Sequence, residues 1–527
     1  MKKHIIIMGL SAIALTTISS CSKSSFDDLY RNPSKVTETT VEKQYTGTIF
    51  GFKELIIPTY RNLFVTLRPT INRYIQTSGW VNEANQLTVG AAATEDRWIQ
   101  YYKGLTQFKE LEKLYNGLTD VEKNEKRIFL LTAKVLYYDQ TQQMVDLYGD
   151  IPWTEAGKLS TNGGDYTKSY AKYDKAVDIY TAMLDDLKTI STELKNITIP
   201  TNIVKSFEAQ DIINNGKLIL WKKYCNALRL RMLYRVSASS QFSSRATTEI
   251  QEIIENQTDF PLPLVNSENS QIDIFDSGSK ITSDGIKDAF EAEGTWYANL
   301  AGKKMIDEMN IKVDPRLPFI FELGAKANNK FTGLDQSLAS SDQLDLARNG
   351  TISIYNRSTY SRNKFFPGIL MSATEANLLL TEYYSKKGNL TAAKTSFENA
   401  VKESISLYVM LRSRSDDNTT PAATAPTEEQ IKTYLSNLNW DGTSNKIHLI
   451  ATQKWIHFNL VQAVEAWSEI RRLNYPEFTV PVENSDINKI IPVKWTLPTS
   501  EISYNQQNYN AVKDQDKQTT KLFWDVN

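Results

Sequence analysis

Two cysteines and three histidines are all that the 527 residues contain. Two cysteines cannot make a disulfide framework or a cysteine-built metal centre. His4 lies in an apolar N-terminal run, and His448 and His457 stand nine positions apart, whereas a helical zinc pair stands four apart. An excess of either charge is missing too. Lysine plus arginine number 60 against 61 aspartates and glutamates, which argues against a nucleic-acid binder. After the N-terminus no apolar run is long enough to span a bilayer. No His-Glu-x-x-His motif, phosphate loop, dinucleotide fingerprint or Gly-x-Ser-x-Gly elbow occurs. A glycosidase needs only two facing carboxylates, but a mostly helical, repeat-like chain without a catalytic motif does not read as an enzyme. Neither a metal nor a cofactor is called for.

What the chain does have begins at its first residues. Lys2 and Lys3 precede an apolar stretch, Ile5 to Ile18, of signal-peptide length. It ends in Ile18-Ser19-Ser20-Cys21, which resembles the lipobox of bacterial lipoproteins. Residues 1–20 therefore read as a signal peptide and Cys21 as the lipidated mature N-terminus. Removing that peptide leaves 58 basic against 61 acidic residues. Several acyl chains on one residue hold a protein firmly, at about 0.8 kcal/mol per buried methylene. Residues 21–45 are polar and read as a tether, with the globular part from 46 to 527.

The rest is organised around Arg127 to Ala156. Leu130, Ala133, Tyr137, Met144 and Leu147 recur at helical spacing. Gly149 sits at the C-cap, Pro152 forbids continuation, and Trp153 is placed to fold back on the helix. Helix pairs are expected over about 127–236 and 371–475. Tyr384, Ala393, Phe397 and Ala400 fit a tetratricopeptide pattern, and 446–473 reads as one long helix. Trp98 and Tyr102 fall on an apolar stripe and read as core. Arg229, Arg231 and Arg235 interleave with an apolar face, so they should meet carboxylates between helices, and Lys454, Glu465, Arg471 and Arg472 should form a structural ion network. Cys225 reads as a small core residue.

Two regions break the periodicity. Residues 77–95 hold Trp80 in a glycine- and amide-rich loop beside Asn82 and Glu83. Residues 258–370 are punctuated by proline and glycine and carry the isolated aromatics Trp296, Tyr297, Tyr355 and Tyr360. A rigid scaffold with one irregular insert carries its function on the insert. Trp80, Asn82, Glu83, Trp296, Tyr297, Tyr355 and Tyr360 are thus the candidate ligand contacts. Aromatic faces and planar amides suit oligosaccharides and peptides alike.

Several stretches resemble one family in order along the chain: "FDDLYRNPSKVTE", "DLYGDIPWTEA", "KYDKAVDIYTAMLDDL", Asp314-Pro315-Arg316, "TQKWIHFNLVQAVEAWSEIRRLNYPEF" and the closing Phe523-Trp524-Asp525. They resemble the SusD/RagB nutrient-binding lipoproteins of the Gram-negative outer membrane. That resemblance implies a mainly α single domain, SusD-like, with tetratricopeptide-like pairs in a superhelix and a loop-rich insert. It implies a cell-surface lipoprotein that binds an oligosaccharide or peptide. The partner it implies is a SusC-like, TonB-dependent β-barrel transporter, for which the protein is the lid. A lipid-anchored protein-interaction scaffold and, less favoured, a surface glycan hydrolase are the alternatives.

Overall fold

The computed structural model describes residues 39–527 except 276–277, 280, 284–285, 292–298, 422 and 479–489. The signal-peptide and lipidation expectations, Cys21 included, lie outside the described residues, as do Trp296 and Tyr297. The globular part starts earlier than the composition suggests. Helix Val41–Ile56 opens it, with Val41 and Tyr45 already buried, so the last residues assigned to the tether are core. That helix packs on Ala91–Asn116 at very short range. A side chain at Gly104 would meet the Phe52 ring at 2.2 Å, so only glycine permits this approach.

Four antiparallel pairs follow: Arg127–Tyr148 with Ala176–Asn196, Leu218–Val236 with Ser243–Glu255, Ala373–Lys386 with Leu390–Arg414, and Lys446–Phe458 with Ala463–Leu473. They form the superhelical side. The last pair corrects the single long helix expected over 446–473. The chain breaks at Asn459, whose φ is 34°, and neither Gly nor Pro marks the break. Gly149 takes a positive φ of 83° at the end of the first helix. Trp153 folds back as expected and stacks on Tyr137 at 6.2 Å. Asn474 adopts the left-handed conformation at its helix end.

Charged side chains hold the pairs together from within. Arg231 donates twice to Glu375, at 2.5 and 2.7 Å, and also to Asp139 at 3.1 Å. Arg235 meets Asp146 and, at 2.7 Å, Glu465. Arg229 pairs with Glu249 and Glu252, while Arg472 bridges Glu382 and Glu469 at 2.7 Å each. Lys454 joins Glu469 at 2.5 Å. Each buried charge gains fixed partners in place of water. Arg471 departs from the pattern. It donates to the backbone carbonyls of Asp146 and Val493 and lies 3.8 Å from the Trp467 ring centre, and burial lowers its pKa to about 10. The Cys225 thiol is buried and pushed up to about 12 by desolvation. Trp524 donates to Asp146 at 2.9 Å, so the tail is packed rather than frayed.

The insert is closed at its neck. Ser270–Ile272, on entry, pairs antiparallel with Gly368–Met371 on exit. Arg316 pins its middle to the scaffold, holding Asp314 at 2.5 Å and donating to Ser404, Tyr434 and Gln453 at 2.8–2.9 Å. Among the described residues, no helix is long and apolar enough to cross a membrane.

Candidate ligand-binding cleft

The two irregular regions meet. Gly79 N donates to Leu300 O at 2.8 Å, and Ser78 bridges Ala301. Gln336 accepts from Trp80 N at 3.0 Å and donates back to Trp80 O at 2.7 Å. Asn82 donates to Gln343 and to Gln336 O. This seam corrects the expectation for four residues. Trp80 is 3% exposed with its indole N–H on Gln86 at 2.8 Å, and Asn82 is sealed beside it. Tyr355 is buried and donates to Thr77 O and Asn459 Oδ1, and Tyr360 stacks inside on Phe366. A loop aromatic with no periodic partner found its partners more than 250 positions away. These groups shape the insert; they offer no open face to a ligand. Glu83 is exposed and paired with Arg73 at 2.8 Å.

The open space lies elsewhere. A cleft of about 1040 Å³ runs between helices Val41–Ile56 and Ala91–Asn116 on one side and residues 152–171 and 500–505 on the other. Its floor is Trp98, set at 4.9 Å from the Tyr102 ring. Both were expected in the core, and both do pack there: Tyr102 donates to Pro152 O at 2.7 Å, and burial raises its phenol well above the usual range. The rim was missed. Tyr504 is 79% exposed, Tyr170 56% and Ile99 40%. The two tyrosines stand on segments locked to each other. Asn505 donates to Ala171 O at 3.0 Å, and Tyr173 donates to Glu501 at 2.6 Å. That carboxylate raises the Tyr173 phenol further, after burial. Glu54, Glu95, Gln100, Gln107, Lys53 and Lys103 are among the polar residues of the lining. Exposed rings beside a few convergent polar groups are what a polar, ring-bearing ligand needs. An amide-rich context for Tyr504, "SEISYNQQNY", was the available signal.

A family model for SusD-like proteins, described as starch-binding associating with outer membrane, matches residues 51–498. The chain belongs to the SusD-like family. Its fold is shared by a chitin-binding protein of known structure, at 20% identity and a TM-score of 0.72, with 92% of this chain and all of that one covered. A chitin-binding SusD homologue from Flavobacterium johnsoniae matches at 21% identity and a TM-score of 0.68, over 92% and 99% of the two chains. A SusD homologue from Bacteroides fragilis matches at 17% identity and a TM-score of 0.69, over 92% and 100%. Among curated proteins, no sequence matches this chain. The SusD-like assignment agrees with the expected mainly helical architecture and its helix pairs.

Proposed function

We propose that this SusD-like protein captures a nutrient glycan at the bacterial outer membrane, binding it without catalysis. The carrying observation is the family match over 51–498, joined to an open cleft whose rim tyrosines stand beside carboxylates and amides. The relatives described as starch-binding and chitin-binding favour a sugar over a peptide. In this reading Cys21 carries the lipid anchor, and the protein is the lid of a SusC-like, TonB-dependent β-barrel that imports what the lid captures. Trp296 and Tyr297 are proposed as further ligand contacts, and Glu83 remains one by virtue of its exposure.

The test is purification from outer membranes of a tagged protein with Cys21 intact, with mass spectrometry of retained proteins and sugars. A large β-barrel in near-equal amount, with the acylated Cys21 peptide, is expected. A purification that repeatedly yields other proteins and no barrel rejects the lid.

A further inference from the structure

Lys53 and Glu54 line two recesses at once. One is the cleft. The other, about 260 Å³, is bounded by Ile57, Thr59, Tyr60, Arg61 and the insert residues Ile281 and Thr282. Its aromatic wall has an unusual origin. Residues Tyr60–Leu67 form a wide π-type helix, in which Arg68 N reaches Leu63 O at 2.8 Å. Such helices are rare and recur at functional sites. Here the winding sets Tyr60 and Phe64 ring on ring, with centroids 4.9 Å apart at 26°. Arg68 lies 5.4 Å from the Phe64 ring centre. Tyr60 is thereby backed by a second ring while 40% of it stays in solvent.

The polar groups beside it are also fixed in place. Arg61 projects into solvent with its guanidinium held by Asp96. Glu54 accepts from Thr59 at 3.0 Å, and Thr59 in turn caps the π-type helix by accepting from Asn62 N at 3.2 Å. A preoriented ring, a guanidinium and a carboxylate therefore line a recess that shares Lys53 and Glu54 with the cleft. Preorganised side chains lose little entropy on binding.

We infer that the Tyr60–Arg61 recess is an additional glycan subsite, so that the ligand is an extended oligosaccharide crossing Lys53 and Glu54. One end of it rests on Tyr170 and Tyr504 and the other on Tyr60. The inference depends on the glycan-capture reading above. It also brings the ligand to the insert through Ile281 and Thr282, which the cleft alone does not touch.

The experiment is calorimetric titration of the full chain, in detergent, with chito- and malto-oligosaccharides from dimers to octamers. In the series that binds, affinity should climb with length. Tyr60→Ala and Arg61→Ala should each flatten that climb, lowering octamer affinity by up to about tenfold, the worth of one good aromatic contact. Tyr504→Ala should lower affinity at every length. Circular dichroism checks the fold of each variant, and the exposed Arg61 covers a Tyr60 variant that fails to fold. A climb that survives both substitutions overturns the subsite and leaves capture in the cleft standing. Binding by neither series, or an inert Tyr504→Ala, overturns capture itself.

Discussion

The scaffold and the seam are both buried and polar, yet they are built from different chemistry. Between the helix pairs, Arg231, Arg235, Arg472 and Lys454 face Asp139, Asp146, Glu375, Glu382, Glu465 and Glu469. Where the 77–83 loop meets the insert, neutral groups do the joining: Trp80, Asn82, Gln86, Gln336 and Gln343. Charges bind partners tightly but suffer badly when one partner is removed. Amides exchange partners at lower cost. The helix pairs are thus joined by charges that suffer when a single partner is lost, and the 77–83 loop is joined to the insert by neutral contacts that lose less.

The sharpest way to break this contrast is to remove one charge. Arg235→Met strands Asp146 and Glu465 in the core and should cost about 3–5 kcal/mol in chemical denaturation. A loss below about 1 kcal/mol would mean that water reaches the layer. In the seam, Gln336→Leu leaves Trp80 N and O unpaired and should cost about 1–3 kcal/mol. It should also open the insert to limited proteolysis while the helix pairs stay resistant; equal cutting of both regions would erase the distinction. The third prediction uses pH. His457 is buried between Ser372 and Ser404, and burial, then Arg316, hold its pKa down to about 3. The imidazole stays neutral in the fold while the unfolded chain protonates near 6.5. Its contribution is therefore complete above pH 6.5 and declines as pH falls towards 3, by up to about 1.4 kcal/mol per pH unit. The slope difference between wild type and His457→Gln from pH 7 to 5 isolates it; parallel curves would contradict the assignment. At the small end, Lys394→Ala removes an exposed pair with Asp441 and should leave the denaturation midpoint essentially where it was; a clear downward shift would show that the pair is not screened by solvent.

The ionic layer was legible in the sequence because an arginine on an apolar helix face has few options other than a buried carboxylate. The helix pairs were legible from spacing, and the insert from its glycines and prolines. What failed were properties set by distant residues. Burial of Trp80 depends on Gln336, 256 positions on, which no local pattern announces. The break at Asn459 serves Tyr355, since that side chain accepts the phenol proton at 2.6 Å. The open cleft needs four segments at once, and Tyr170 and Tyr504 become neighbours only after residues 170–173 and 501–505 are tied together.

One tertiary contact also fixes an order of events. Asp146 lies in the last turn of the first helix of the first pair, yet its carboxylate is shared by Tyr180, Arg235 and Trp524. The last of these is 378 residues downstream. A growing chain presents the first pair long before the tryptophan that covers it has been synthesised. Native closure of this layer therefore has to wait until the last residues of the chain are available.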